Sequence, residues 1–250
     1  MNKHNAGLLF DELDEYWAAI ADARFTEREV EFINTLIKKK GLILDLCCGT
    51  GRHSLMLFRK GVSTVGFDIS AKLLKIAKRR QDQQDVKVPL VRGEMRYLPF
   101  RPETFVASIS MFTSYGYLPS LKDDLKSLKE VTRILEKEGV FIIDVANREH
   151  LFRVFRKKDW GEFPGFFMLE KRSLDVKGSK LHSKWTIIDK KSGREREFSH
   201  NLRFYTIREL KRMLGKARLM VKAAYGDYDD GQKFSEESTR LILVAKKDSL

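Results

Sequence analysis

Short apolar segments alternate with helical patterns through the first 146 residues, and this alternation limits the choice of fold more than any other feature. The strand candidates are residues 42–46, 62–68, 86–91, 105–110 and 139–146. Apolar residues at helical spacing separate them at about 52–60, 70–81 and 121–136. Strands that are apolar throughout and alternate with helices are typical of a parallel sheet covered on both faces. The pattern therefore predicts an α/β fold with a doubly wound sheet.

The N-terminal segment has helical patterns only. Phe10, Leu13, Trp17 and Ile20 recur at helical spacing and predict an amphipathic helix over about residues 7–21. Thr26 and Glu29 have the spacing of a capping box, which predicts the start of a second helix. We expect residues 1–40 to form a helical lid on a core of residues 41–146.

The C-terminal segment changes character after residue 146. Strand-like stretches at 166–174, 180–188 and 195–205, separated by turn signals, predict an antiparallel meander that follows a short helix at about 148–156. A Thr206–Glu209 capping box predicts a further helix, and strands near 218–225 and 239–246 would complete a seven-stranded sheet.

These predictions together describe one domain of residues 1–250. Its Rossmann-like sheet is doubly wound and mostly parallel, with seven strands, helices on both faces and a small antiparallel β insertion. Residues 147–205 are expected to form this insertion, a substrate cap. Residues 206–250 would supply a helix and a β-hairpin that complete the sheet.

A glycine loop follows the first predicted strand, in the stretch LDLCCGTGRHS of residues 44–54. A dinucleotide fingerprint requires a third glycine where Ser54 stands, and a triphosphate-binding loop requires a lysine that this stretch lacks. Both phosphate-binding interpretations are therefore disfavoured. Ligands bind beyond the carboxyl ends of the first strands in such sheets, which is where Gly49 and Gly51 fall.

A carboxylate ends the next predicted strand. Asp68 lies 17 residues beyond Gly51, where an acid can accept both hydroxyls of a ribose. Aspartate also favours helix caps, but Ser70 can cap the following helix instead. The sequence therefore predicts that Asp68 binds a nucleoside, which leaves a nicotinamide dehydrogenase as one alternative.

Charge and cysteine content bound the function further. The chain has 48 Lys and Arg against 35 Asp and Glu, a net charge of +13, which suits a nucleic-acid partner or a solvated basic surface. Only two cysteines, Cys47 and Cys48, are present, so neither a disulfide framework nor a structural zinc site is expected. No apolar run approaches the roughly 20 residues of a membrane span, and a cytoplasmic protein is expected.

Four motifs in order resemble those of class I S-adenosylmethionine-dependent methyltransferases. They are LDLCCGTGRHS, VGFDIS, RGEMRYLPF and SMFTSYGYL, at residues 44–54, 65–70, 92–100 and 110–118. The run FTSYGY and the stretch LRFYTIREL at 202–210 are similar to small-molecule methyltransferases, a group that includes amino-sugar N-methyltransferases. The resemblance covers residues 8–146 well and the C-terminal half loosely.

The resemblance implies S-adenosylmethionine as cofactor. It places Asp45 near the ammonium of the methionine moiety, and Arg52 or His53 near its carboxylate. It places Glu94 at the adenine amino group, where the family usually has Asp, with Met95 packed on the ring. The implied cofactor-binding residues are Tyr16, Asp45, Cys47, Cys48, Gly49, Gly51, Arg52, Asp68, Ile69, Gly93, Glu94, Met95, Ser110 and Met111.

The acceptor is expected to be a small molecule methylated at nitrogen or oxygen. The expected substrate-binding residues are Tyr115, Tyr117, Asn147, Arg203 and Tyr205. No catalytic base is identified, although His150 and His200 could accept a proton. The chain lacks the tetrapeptide N-P-P-[YF] that follows the fourth strand in enzymes methylating adenine or glutamine. An RNA methyltransferase and a non-catalytic S-adenosylmethionine-binding protein are the alternatives.

Overall fold

The structure is a computed structural model that describes residues 6–22, 26–229 and 232–248. Its helices are α1 (Ala6–Asp22), α2 (Thr26–Leu36), α3 (Arg52–Arg59), α4 (Ala71–Gln84), α5 (Leu121–Ile134), α6 (Arg148–Arg153) and α7 (Ile207–Lys216). Its strands are β1 (Ile43–Leu46), β2 (Thr64–Asp68), β3 (Leu90–Arg92), β4 (Phe105–Ser110), β5 (Leu135–Ala146), β6 (Lys158–Phe163), β7 (Phe166–Asp175), β8 (Lys180–Asp189), β9 (Glu195–Arg203), β10 (Leu219–Tyr225) and β11 (Arg240–Lys247).

Seven strands form the main sheet in the order β10-β11-β5-β4-β1-β2-β3. Strands β1 to β5 are parallel, and β11 runs antiparallel to both β5 and β10. Every residue of β1, β2 and β4 is buried, as expected for strands covered on both faces. The predicted mixed α/β fold with a mostly parallel seven-stranded sheet is confirmed.

Strand order reverses at β1, which lies between β2 and β4. The chain runs from β1 through β2 to β3 in one direction, and then returns to β4 and β5 on the other side. The loops after β1, β2 and β4 therefore diverge at the same edge of the sheet. A crevice forms where such loops part, and ligands bind there in open α/β sheets.

A second sheet contains four antiparallel strands in the order β6-β7-β8-β9. Its inner face packs against α1 through an apolar cluster of Leu13, Phe166, Trp185, Ile187 and Phe198. The meander at 166–205 is confirmed, but β6 was missed. Its alternation is interrupted by the charged pair Lys158–Asp159 and by Gly161, so the sequence pattern is weak there.

Several element boundaries differ from the predictions. Strand β3 begins only at Leu90, since residues 86–89 precede its pairing with β2. Strand β5 begins at Leu135, immediately after α5, although Glu136 to Glu138 are polar. Helix α1 has the predicted extent but contains a break at Asp14, whose φ is 29°.

The predicted caps lie at the starts of helices. Thr206 and Glu209 form the predicted reciprocal capping box at α7, and Ser70 Oγ accepts from the Leu73 N–H at the start of α4. Helix α2 begins at Thr26 as predicted, and the Glu29 carboxylate contacts Arg52 and His53 of α3. Within the described part of the chain, no helix has the length and apolarity needed to cross a membrane.

Candidate functional site

A cavity of about 520 Å³ opens at the carboxyl ends of β1, β2 and β4. Helix α1 lies along its other side, where Phe10 and Trp17 line it. Eleven of the predicted site residues line this cavity: Cys47, Cys48, Gly49, Arg52, Asp68, Ile69, Gly93, Glu94, Met95, Met111 and Tyr117. The volume lies in the range of sites that hold cofactors and other small molecules.

The loop after β1 turns sharply toward α3. Cys47, Gly49 and Gly51 all have positive φ, at 61°, 55° and 74°. A Cβ at Gly49 would be in ordinary van der Waals contact with Trp17 Nε1 at 3.9 Å, so the positive φ, and not a lack of space, favours glycine here. Burial raises the pKa of both cysteine thiols, which therefore remain protonated and apolar in character.

Asp68 joins the glycine loop to α4. Its carboxylate accepts the Gly49 N–H at Oδ2 and the Ser70 N–H at Oδ1, each at 2.8 Å. Burial raises its pKa to about 6, and the two backbone donors oppose that rise. Each carboxylate oxygen retains a lone pair, so the side chain can still accept from two adjacent hydroxyls.

Arg52 and His53, at the start of α3, share one buried carboxylate. Arg52 Nη1 contacts Glu29 and also donates to Thr26 Oγ1 at 2.8 Å, while His53 Nε2 lies 2.8 Å from Glu29 Oε2. Burial alone would raise the pKa of Glu29, but His53 and Arg52 outweigh it and lower the value to about 2. Arg52 Nη2 is buried and has no hydrogen-bond partner within the described ranges.

The loop after β3 forms an apolar slot. A Cβ at Gly93 would lie 2.7 Å from the Phe67 ring, so glycine leaves room for both the ring and the cavity. Met95 is buried beside Cys47, with 3.7 Å between their sulfur atoms. Glu94 lines the slot, but its oxygens accept from the Arg96 N–H at 2.9 Å and from Arg96 Nε at 2.6 Å.

Four of the expected cofactor-binding residues do not line the cavity: Tyr16, Asp45, Gly51 and Ser110. Asp45 is buried beneath the loop, where its carboxylate accepts from Ser54 Oγ at 2.5 Å. Gly51 precedes α3 and faces Ala77 of α4. Ser110 is fully buried in β4, and its hydroxyl has no partner among the described residues. Asp45 therefore fixes α3 through Ser54, and its contact with the cofactor stays a prediction.

Tyr16 and Tyr115 also point elsewhere. The Tyr16 ring packs edge-on against Phe166 of the cap sheet at 5.0 Å. Tyr115 is fully buried, with its hydroxyl 3.0 Å from Ser127 Oγ. Trp17, which follows Tyr16, lines the cavity, as does Tyr117, which was itself expected to bind the substrate. Since neighbouring residues face different directions, a motif identifies the segment more reliably than the residue.

The remaining expected substrate residues have structural partners outside the cavity. Asn147 caps α6 through the Glu149 N–H and donates to the carbonyl of Ser238 at 2.7 Å. Arg203 Nη1 donates to the Gly178 carbonyl at 3.0 Å. The Tyr205 hydroxyl donates to Asp124 Oδ2 at 2.7 Å. Arg203 thus fixes the turn between β7 and β8, while Asn147 and Tyr205 join the ends of the inserted segment to the rest of the domain.

Most of the residues on the α1 side of the cavity were not predicted from the sequence. Phe10, Phe112, Thr113, Leu118 and Pro119 line it. Phe10 was assigned only to the apolar face of a helix, where core and cavity residues share one spacing. The run after β4 has no periodicity from which the direction of each side chain could be read.

The residues present fit S-adenosylmethionine. Asp68 can accept from the ribose hydroxyls, and the apolar slot beside Met95 can hold the adenine. The unpartnered Arg52 Nη2 on this wall can donate to the methionine carboxylate, which would satisfy a buried polar atom. In the described residues, no group of His, Cys, Asp and Glu could hold a metal ion.

Comparisons with known proteins agree with this fit. Residues 43–139 match the family described as "Methyltransferase domain". The "Putative methyltransferase YqeM" of Bacillus subtilis is 26% identical over 231 residues, which cover 87% of this chain and 88% of the relative. The "Uncharacterized protein MJ1252" of Methanocaldococcus jannaschii is 30% identical over 203 residues, which cover 81% of this chain and 70% of the relative.

The fold has a close counterpart among solved structures. A S-adenosylmethionine-dependent methyltransferase from Clostridium acetobutylicum superposes with a TM-score of 0.83 at 18% identity, covering 96% of this chain and 99% of that structure. At 18% identity this structural similarity shows the fold alone. The family match and the sequence relatives show the family. The chain therefore belongs to the class I S-adenosylmethionine-dependent methyltransferases, and it is an enzyme whose cofactor is S-adenosylmethionine.

Proposed function

We propose that the enzyme methylates the nitrogen of a small amine that it binds as the free base. The observation that carries this proposal is that, among the described residues, one side of the cavity is lined by uncharged side chains alone. We call this side the acceptor half and define it as Phe10, Trp17, residues 112–114 and residues 117–119, all of which line the cavity. We call the remainder, which holds Arg52, Asp68 and Glu94, the donor half.

The acceptor half consists mainly of aromatic rings. The Phe10 ring lies 4.9 Å from Trp17 and 5.4 Å from Tyr117, edge-on to both, and Phe112 lies 5.8 Å from Trp17. Burial among such rings favours the neutral form of an amine, which is its nucleophilic form. The same rings then stabilise the positive charge that develops on the nitrogen during transfer.

An oxygen nucleophile would require a base, and none of the residues of the acceptor half is one. Its three hydroxyls belong to Thr113, Ser114 and Tyr117. Thr113 Oγ1 accepts from the Ala146 N–H at 2.9 Å, and Ser114 Oγ donates to the Met111 carbonyl at 3.0 Å. The Tyr117 hydroxyl has no hydrogen-bond partner in the described segments, and burial raises the pKa of this phenol. Tyr117 can therefore orient an acceptor but is a poor base.

Two of the described histidines, His53 and His200, do not supply a base. His53 is engaged by Glu29. His200 does not line the cavity, although its ring lies 6.0 Å from that of Tyr117, and burial lowers its pKa to about 4. The cofactor supplies an electrophilic methyl group, so the chain need only orient the amine lone pair and exclude water. The proton that the amine loses after transfer passes to solvent once the product leaves.

The test combines cofactor binding with an acceptor screen. Titration calorimetry should show one S-adenosylmethionine site. A panel of small primary and secondary amines should then contain members that yield S-adenosylhomocysteine, whereas alcohols and phenols of matched shape should not. For each reactive amine, the rate should rise with pH up to the pKa of that amine, because only the free base reacts.

Tyr117→Phe provides a sharper test of the acceptor half. It should lower kcat/KM for the amine by about fivefold and leave S-adenosylmethionine affinity unchanged, since one neutral hydrogen bond contributes about 1 kcal/mol. Tyr97→Phe is the matched control, because that side chain is 63% exposed. Methylation of phenols, or of RNA in a salt-dependent manner, in place of amines would contradict the proposal.

The assignments of the lid and of the inserted substrate cap stay predictions, as does the cytoplasmic location. Support for a cap comes from the β7–β9 face that packs on α1 beside the acceptor half. Deletion of residues 147–205 would also remove partners of the main sheet, so point variants on this face are the better test.

A further inference from the structure

Two successive residues of the acceptor half adopt a backbone conformation that side chains disfavour. Phe112 and Thr113, directly after Met111, have φ of 59° and 63°. A bulky or β-branched residue in this left-handed region is uncommon and persists only where its surroundings hold it. The conformation turns Phe112 toward Trp17 and the cavity, so whatever holds it also sets the shape of the acceptor half.

Asp144, at the end of β5, holds both residues. Its Oδ2 accepts the Phe112 N–H at 2.7 Å, and its backbone carbonyl accepts the Thr113 N–H at 3.0 Å. The Asp144 side chain is completely buried. One residue of a core strand thus fixes two consecutive amides of the loop, one through a charge-assisted hydrogen bond.

Two residues from the C-terminal part of the chain contact the buried carboxylate of Asp144: Arg240 as its counter-ion and Tyr228 as a hydrogen-bond donor. Arg240 of β11 donates to Oδ1 through Nε at 2.8 Å, and the Tyr228 hydroxyl donates to Oδ2 at 2.7 Å. Arg240 Nη2 also donates to Thr113 Oγ1 at 3.1 Å, and its guanidinium lies 5.8 Å from the centre of the Phe112 ring. The network therefore fixes the side chains of the loop as well as its backbone.

We propose that Asp144 is a positioning residue for methyl transfer, which keeps Phe112 and Thr113 in the left-handed conformation that shapes the acceptor half. The proposal rests on the proposed function for the reaction it serves. Asp144 lies outside the cavity lining, so it acts through the loop and not on the acceptor itself. Arg240 and Tyr228 orient its carboxylate through hydrogen bonds.

The test uses Asp144→Asn, which preserves size but removes the charge. Amide hydrogen exchange is followed by NMR with S-adenosylhomocysteine bound. The Phe112 amide should exchange at least about tenfold faster than in the wild type, because its charge-assisted bond is lost, and the Thr113 amide should follow because the loop that carries both is loosened. The affinity for S-adenosylhomocysteine should remain within about threefold, since the donor half is intact. Unchanged exchange at these two amides would overturn the proposal.

Asp124→Asn is the matched control for loss of a buried carboxylate. Asp124 is 1% exposed and, like Asp144, accepts from a tyrosine hydroxyl at 2.7 Å. This variant should leave exchange at Phe112 and Thr113 unchanged. If Asp144→Asn fails to fold because Arg240 loses its counter-ion, Asp144→Ala combined with Arg240→Met removes both charges and tests the same prediction.

Measurement of kcat and KM distinguishes a positioning role of Asp144 from a role in stability alone. With the best amine of the screen, Asp144→Asn should lower kcat at least about tenfold while KM for S-adenosylmethionine stays within about threefold. Faster exchange without a fall in kcat would also overturn the proposal. If the wild type methylates no amine, the proposed function fails, and the exchange measurement still decides whether Asp144 holds the loop.

Discussion

The donor half and the acceptor half of the cavity are built differently. In the donor half each ionised side chain already has a protein partner: Gly49 and Ser70 donate to Asp68, Glu29 binds Arg52, and Arg96 binds Glu94. In the acceptor half the side chains meet mainly as ring contacts. Hydrogen bonds fix the position of polar groups before any ligand arrives, whereas rings define a shape. We therefore expect the donor half to be specific for one molecule and the acceptor half to accept a class of molecules.

The largest expected effect is on the donor half. Asp68→Ala should weaken S-adenosylmethionine binding by about 100-fold, equivalent to about 2.8 kcal/mol, because two hydrogen bonds to a charged group are lost. Titration calorimetry measures this change. Asp82→Ala, on the exposed face of α4, is the matched control and should bind normally. An equal loss in both variants would mean that α4 itself had shifted.

The pH dependence of binding should reflect the same carboxylate. Burial raises the pKa of Asp68 to about 6, and protonated Asp68 cannot accept from both ribose hydroxyls. Affinity should therefore fall as pH decreases through 6, by about tenfold per unit below it. The stability of the ligand-free enzyme should change in the opposite direction, because the folded state holds this proton more tightly than the unfolded state.

Asp68→Asn separates these two effects. Its affinity should be weak and independent of pH between about 5 and 7, since no carboxylate titrates. Asp124 also has a pKa near 6 through burial, but its partner is Tyr205, outside the cavity. Asp124 therefore contributes to the pH dependence of stability alone. A pH-dependent affinity in Asp68→Asn would show that another group controls binding.

Arg52→Lys should have a smaller effect on the donor half. Lysine can still pair with Glu29 but lacks the planar fork that presents Nη2, so S-adenosylmethionine affinity should fall by about fivefold. Decarboxylated S-adenosylmethionine, which has no carboxylate to bind, should show the same affinity for both proteins. A fivefold loss for that analogue as well would place the contact elsewhere on the cofactor.

The smallest expected effect tests the independence of the two halves. Phe10→Leu removes one ring of the acceptor half and should lower kcat/KM for an amine by about threefold, as expected for loss of one cation–π contact. Affinity for S-adenosylmethionine should change by less than about twofold. A larger change in cofactor affinity than in kcat/KM would show that the halves are not separate.

The same contrast explains what the sequence could predict. The fold follows from the buried strands β1, β2 and β4, whose continuous apolar runs leave few alternatives. Many residues of the donor half could be predicted because they lie at the carboxyl ends of these strands, such as Asp68 at the end of β2. The chain direction and the strand order fix where such residues lie, so sequence position alone brings them together.

The acceptor half depends on details that leave no pattern in the sequence. Phe112 lines the cavity, and its amide is held by Asp144, 32 residues away, whereas Tyr115 lies in the core with its hydroxyl beside Ser127. Asp45 was expected at the cofactor, and its carboxylate accepts from Ser54. Both outcomes are decided by tertiary hydrogen bonds between distant residues, which spacing within a motif cannot reveal.

Helix α1 contacts both the start of α4 and the second sheet. Asp11 accepts from Ser70 Oγ at 2.6 Å at the start of α4, and Tyr16, beyond the break at Asp14, packs on Phe166 of the cap sheet. The first part of α1 is thus hydrogen-bonded on the cofactor side, and the part after Asp14 packs on the second sheet. Any displacement of α1 would therefore disturb both of these contacts and change the donor half and the acceptor half together.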